Sequence, residues 1–487
     1  MSINSKELKS LELNRKYFVF LERLIQRISL PWVKQLLAKR AIRLAVWSST
    51  GRYSSIVVES VYLDLAERLQ VCCDVEYEEN STLHVLTECY GVGGHSKVVE
   101  RWLSLSPVSA KQSVIFINQK VSDIPKIFFD LSAERNGEVI SLSYEKSDTG
   151  KAKKLREIAS GYQRTVLHTH MYDIVPLIAF GTEKFKRPVL LYNHADHLFW
   201  LGVTIADRVA ETRRWGQVHS SERRGVEHSM ILSIPPAQNL KNRTSVKIRD
   251  EEHSILNILT VGSPHKYIKL EENCFIHYME LLLKRHSNIS FTVIGPEVDD
   301  FINLENSLTK YSNRIKFLGC IPNAQLNKEM SLADLVIDSF PMSGGTALGE
   351  AIALGVPVLA LRSVTGHLDY MYDSESYCLD FKELLSKTEK IIADPIYGKS
   401  VSNSIGKLYF SSENPENWSN KLYDVLSSLP IEHKVYKRSE PINKDFDELD
   451  RFILLSNERK TLLFQLGRFF RLYYYRKRGC LRFAIRF

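Results

Sequence analysis

The chain has no run of about 18 apolar residues, which excludes a helix that spans a membrane by sequence pattern. Its first residues, MSINSKELKSLELNRKY, hold neither an apolar core nor a small-residue cleavage site, so no signal peptide is expected. Cysteine is sparse: seven in 487 residues, an odd number, scattered, with no CxxC pair. That excludes a disulfide framework and predicts a reducing, cytoplasmic compartment in which the thiols are core residues. Internal repeats and low-complexity segments are also missing, so neither a solenoid nor a disordered scaffold is expected.

What is present is an ordinary folded composition, 44% hydrophobic and 25% charged. A chain of 487 residues is too long for one core and predicts two or three domains. The net charge of +8 is unevenly spread. Residues 1–50 hold ten Lys and Arg against three Glu, a balance of +7, and residues 451–487 hold ten against one, a balance of +9. The middle of the chain is therefore acidic, at −8. A basic working cleft for nucleic acid is not expected; the ends are suited to an anionic surface while the middle does the chemistry.

Residues 1–80 read as a helical, basic extension. From Leu83 onward, short apolar runs (LHVLTE, SVIFIN, EVISLS, TVLHTH, PVLLYNH) alternate with segments of helical spacing. That alternation predicts parallel βαβ units, a first doubly wound domain over 81–240. The aperiodic stretch Pro235–Ser254 reads as a linker, and a second series (NILTVGS, SFTVIG, DLVIDSF, VPVLAL) predicts a second such domain over 255–430. A basic aromatic tail follows over 440–487. The expected fold is α/β, with two Rossmann-like domains facing a cleft at the carboxyl ends of both sheets.

The strand DLVIDSF runs into Ser343, Gly344, Gly345 and Thr346 and then into a helix that ends at Gly355 with Pro357 beyond. A strand, a Gly-rich turn and a helix N-terminus form a natural phosphate cradle, although two glycines also make a plain tight turn. The stretch SGGTALGEAIALGVPV, the run SLADLVIDSFPMSGGT and Lys269 in VGSPHKYIKL resemble the nucleotide-sugar-binding domain of GT-B glycosyltransferases, most of all the O-GlcNAc transferase type and its bacterial relatives. The likeness covers about residues 255–365, is weaker over 83–235 and is absent at both ends. It implies that Ser343, Gly344, Gly345, Thr346 and Lys269 bind the donor diphosphate and that Glu350 takes the ribose hydroxyls. A lysine there stabilises the leaving group's charge without a metal. No Asp-x-Asp motif feeds a strand end, and no metal or cofactor is expected beyond a nucleoside diphosphate sugar as co-substrate.

The first domain opens with LTECYGVGGHSKVVERW, a second Gly-rich loop before a helix that begins near His95. In the similar family a histidine stands here near the acceptor, which implies that His95 is the general base; otherwise it caps its helix. Gly93 and Gly94 in the same loop, His170 after His168 in LHTHMYD, and Asn193, His194 and His197 in YNHADHLFWLG are expected on the acceptor or sugar side, with Phe199 and Trp200 as a stacking platform. The family carries a Gly-rich loop at this last place, and this chain departs from it with histidines. The HxH and HxxxH spacings without cysteine are a poor zinc pattern. The expected activity is transfer of a sugar, with inversion, to a glycan or lipid-linked glycan at the cytoplasmic face of a membrane. An epimerase of the same build and a non-catalytic partner subunit are the alternatives.

Overall fold

The computed structural model describes residues 3–456 apart from 72, 74, 90–93, 237–254, 299, 301–305 and 439–443. Gly93, most of the expected linker and the tail beyond Ser456 lie outside the described residues. The chain divides into two compact units, Met1–Arg52 with Asn443–Phe487, and Tyr53–Ile442. The helical extension expected over 1–80 is thus split at Arg52. No helix among the described residues is long and apolar enough to cross a membrane.

In the smaller unit, helix Ser5–Arg27 starts on a capping box in which Asn4 accepts from Glu7 N and Glu7 accepts from Asn4 N. A three-residue connector leads to helix Pro31–Trp47, with proline at its first position, where a missing N–H costs nothing. Helix Glu448–Ser456 packs on the first of them. Buried pairs tie the unit: Arg451 Nε donates to Glu7 Oε2 at 2.9 Å, Ser49 Oγ to Asp450 Oδ1 at 3.0 Å, and Arg52 to Glu22 at 3.3 Å.

The larger unit holds two all-parallel sheets. The first joins β1 (Glu78–Leu86), β2 (Lys111–Phe116), β3 (Val139–Ser141), β4 (Tyr162–His168), β5 (Val189–Asn193), β6 (Arg208–Glu211) and β7 (Ser229–Ile231) in the order 3-2-1-4-5-6-7. The second joins β8 (Leu256–Val261), β9 (Ile289–Ile294), β10 (Ile315–Phe317), β11 (Leu335–Ile337), β12 (Val358–Leu361) and β13 (Tyr377–Cys378) in the order 10-9-8-11-12-13. Leu83 of β1 lies between Ser113 and Thr165, so β1 is central, and its apolar residues are buried because helices cover both faces. In each sheet the strand order reverses beside the first strand, at β1/β4 and at β8/β11, and crevices for ligands open at the carboxyl ends of such strand pairs.

Two boundaries differ from the sequence reading. Helix Ile56–Arg68 belongs to the first domain: its Glu59 accepts the amides of Gly202, Val203 and Thr204, and the carbonyl of its Ala66 binds the buried Arg156. Helix Pro415–Ser427 also packs there, with Trp418, Leu422 and Val425 in one core with Trp102, Val166 and Tyr192. Beyond it, His433 Nε2 donates to the Phe180 carbonyl at 2.7 Å, and its Nδ1 lies 2.8 Å from Asp207 Oδ2. Amphipathic spacing announces these helices but does not say which core receives their apolar side.

Candidate active site

The turn after β11 is organised by Asp338, whose Oδ2 accepts from Ser343 Oγ at 2.6 Å and Oδ1 from Gly344 N at 2.7 Å. Ser343 N donates to Ser363 Oγ, and Gly345 N to Ser343 Oγ. Gly345 has φ +61° and ψ −102°, a backbone that L side chains avoid. The amides of Ser343, Gly344 and Gly345 thus each have a partner in this structure, on Ser363, Asp338 and Ser343 in turn. What stands ready for an anion is Thr346 Oγ1 and the first turn of helix Thr346–Ala353, whose leading N–H groups have no partner within the helix.

A second lysine, Lys266, is bonded to this turn. A short 3-10 turn, Pro264–Tyr267, follows β8 and brings Lys266 Nζ to 2.8 Å from the Ser343 carbonyl. Burial lowers its pKa, and the Asp338 carboxylate opposes that. Lys269 is exposed three residues further on, past the end of the turn. Both lysines stand in the same decapeptide, and only the turn geometry separates them.

The first domain meets this turn directly. Helix Gly94–Leu105 starts opposite helix Thr346–Ala353, and a Cβ built on Gly94 would stand 2.6 Å from Thr346 Oγ1. Glycine is what lets the two turns close on each other. One and two turns into the same helix, Lys97 Nζ and Arg101 Nη2 donate to Glu350 Oε1 at 2.6 and 2.7 Å. Glu350, expected at a ribose, is therefore also an interdomain anchor, with both bonds ending on one of its two oxygens.

Three histidines lie behind His95. Gln112 Oε1 and His84 Nε2 are 2.9 Å apart, His84 Nδ1 and His168 Nε2 3.1 Å, and His168 Nδ1 and His194 Nε2 2.9 Å. With the Gln112 oxygen accepting from His84, each neutral ring donates through Nε2, and the series ends with the lone pair of His194 Nδ1. His95 Nε2 donates to the His168 carbonyl at 2.6 Å, which leaves His95 Nδ1 as a buried acceptor without a hydrogen bond. The His95 and His194 rings are 4.3 Å apart. Burial lowers His84 and His95 to about 4, and holds His168 and His194 well below the usual range, with neighbouring histidines adding to the effect. At neutral pH the cluster is uncharged and rich in acceptors, a lining suited to hydroxyl donors.

Residues 246–428 match the model of the family Glycosyl transferases group 1. This segment carries the glycosyltransferase domain, and the chain as a whole has the GT-B fold. A mutant of the O-GlcNAc transferase of Thermobaculum terrenum superposes with a TM-score of 0.53 at 13% identity, over 93% of this chain and 84% of that one. Anabaena Alr3699/HepE, solved in complex with UDP-glucose, gives 0.50 at 16% identity, over 72% of this chain and all of that one. These likenesses establish the shared fold. No curated protein sequence matches the chain.

The remaining residues expected in the transferase cleft are placed unevenly. His170 is half-buried, with its ring 5.8 Å from that of His95 and Nδ1 3.1 Å from Tyr172 Oη. His197 lies 3.4 Å from Asp196, which Arg213 grips through Nε at 2.7 Å and Nη2 at 3.0 Å. Burial would raise the Asp196 carboxyl, but Arg213 and His197 more than offset this and hold it well below the usual range. Asn193 is buried, donating to both oxygens of Glu211 and accepting from Ala195 N. Phe199 and Trp200 are buried as well, so the expected stacking platform is core, and Trp200 lies under the Arg224 guanidinium. Among the described residues no three His, Cys, Asp or Glu side chains converge in a metal-holding arrangement. Lys266, Asp338, Lys97, Arg101, His84 and Gln112 were not read from the sequence. Only Asp338, at the end of an apolar strand, carried a local signal.

Proposed function

We propose that this glycosyltransferase moves a sugar from a nucleoside diphosphate sugar to an acceptor hydroxyl, without a metal and with inversion. The observation that carries the reading is the meeting of the Gly94–His95 turn with the Ser343–Thr346 turn over the half-buried Lys266. Thr346 Oγ1, the helix N-terminus and the Lys266 ammonium supply the donors and positive charge that a departing diphosphate needs. Glu350 keeps one carboxylate oxygen for the ribose. His95 Nδ1 is the acceptor that takes the proton of the attacking hydroxyl as the glycosidic bond breaks. A diphosphate in the cleft raises the basicity of this imidazole by its charge. The histidines at the ends of β4 and β5 line the side on which sugar hydroxyls are held. The acceptor is a glycan or lipid-linked glycan, met at the cytoplasmic face of a membrane.

The test is turnover of a panel of nucleotide sugars by Lys266→Ala and Lys269→Ala variants of the full chain. Lys266→Ala is expected to lower kcat/KM by 10- to 100-fold, which corresponds to about 1.5–3 kcal/mol for a bond to a charged group. Lys269→Ala should remain within about twofold of the parent, as expected of an exposed side chain. Equal losses would move the diphosphate site, and interconversion of nucleotide sugars without release of nucleoside diphosphate would replace transfer by epimerisation.

A further inference from the structure

We propose that the helical hairpin of residues 5–47 is a docking surface for an anionic lipid bilayer. The proposal gives the membrane-bound acceptor of the preceding section its point of attachment, and rests on that reading only for its purpose.

The turn of the hairpin exposes large apolar side chains where a small helical unit would be expected to bury them. Phe20, Leu30, Trp32 and Leu36 are 52, 56, 66 and 62% exposed. They occupy the last two turns of the first helix, the connector and the first two turns of the second. Basic residues share these stripes. Phe20, Arg23 and Arg27 recur at helical spacing on one exposed face, and Leu36, Arg40 and Arg43 do so on the next helix. The acids of this segment are not set against them. Glu7 and Glu22 are buried, bonded to Arg451 and Arg52, and the exposed Glu12 is 3.6 Å from Lys16, far from the turn.

An apolar patch of this kind with cations among it calls for a partner that offers both an apolar layer and a negative charge. A bilayer does so at one depth: its acyl boundary receives leucine, phenylalanine and tryptophan while its headgroups meet arginine and lysine. A second copy of the hairpin, or the basic residues 457–487, would bring like charge to like charge. A nucleic acid would satisfy the arginines and leave Leu30 and Leu36 against water.

The experiment is sedimentation of the full chain with phosphatidylcholine vesicles containing equal phosphatidylglycerol, and with pure phosphatidylcholine vesicles. Binding is expected to the anionic vesicles alone and to fall at least tenfold in 0.5 M salt, because surface charge is screened. The exposed double variants Trp32→Ser with Leu36→Ser, and Arg23→Gln with Arg27→Gln, should each lower partitioning at least tenfold. Their circular dichroism and their hydrolysis of a soluble donor should stay at the parental level. No sedimentation of the parent, equal binding to neutral vesicles, or parental binding by both variants overturns the proposal. So does a concentration-dependent dimer, or retention of RNA, that the two variants abolish. Vesicle binding without any turnover of nucleotide sugars would instead refute the proposed reaction and leave the docking surface standing.

Discussion

A neutral imidazole donates through one nitrogen and accepts through the other, so histidines in series pass along the choice made at one end. Here Gln112 makes it, and the series His84–His168–His194 runs from inside the first sheet to the cleft. The series works only while no ring is charged. Eight buried or half-buried histidines have lowered pKa values, each chiefly through burial: 84, 95, 168, 170, 194, 197, 219 and 367. Each binds its proton more readily when the chain unfolds. Their contribution to stability is therefore full above the unfolded value near 6.5 and is lost as pH falls toward 4 and below. For the fully buried His84, a shift from 6.5 to about 4 amounts to about 2 kcal/mol lost by pH 5. Burial raises Glu59, Asp173, Glu211 and Glu413, which act in the opposite direction and offset part of the loss. We expect the urea midpoint to fall markedly between pH 7.5 and pH 5; an unchanged midpoint would mean that these rings are hydrated and titrate normally. The strand-end histidines were legible in the sequence. His84 was not, because it stands in mid-strand where an apolar residue would also fit.

At the scale of elements, two helices from different domains face each other, and one carboxylate holds them. Lys97, Arg101 and Glu350 are only 15, 14 and 7% exposed at their side chains, so each charge depends on the others for compensation. Removing one member of such a group leaves an uncompensated buried charge, at about 3–5 kcal/mol, whereas removing all of them costs much less. Glu350→Gln should therefore destabilise the chain strongly. Adding Lys97→Met and Arg101→Met to it should restore part of the loss, with an interaction energy of about 1–3 kcal/mol in chemical unfolding. Strict additivity would show that the three charges remain hydrated and do not latch the domains. The sequence placed Glu350 one turn into its helix, as observed. It could not show the helix that opposes it, because contact between domains is decided by how two folded surfaces meet, and neither helix pattern encodes that.

On the scale of the whole molecule, the alternation of strand and helix was enough to give two doubly wound domains, while the closing segments were assigned to the wrong bodies. The chain leaves the second domain after helix Pro395–Ser412 and returns to the first, where Trp418 is fully buried. Its ring stands edge-on to Trp102 at 5.5 Å, and Nε1 donates to the Ser233 carbonyl at 2.9 Å. Trp102 in turn lies edge-on to His84 and His168, so this returning helix supports the wall behind the histidine series. Trp418→Ala leaves a cavity and an unpaired carbonyl there, and replacements of this kind cost about 3–5 kcal/mol. The loss should fall on the first domain: amide exchange should accelerate in β1, β4 and β5 while β8, β9 and β11 keep their protection, because the second core contains none of these residues. Donor turnover should fall with it, as the rings behind His95 lose their support. A cost below about 1 kcal/mol, typical of a surface change, or exchange that rises equally in both sheets, would show that the returning segment is an ornament on the first domain and not part of its core.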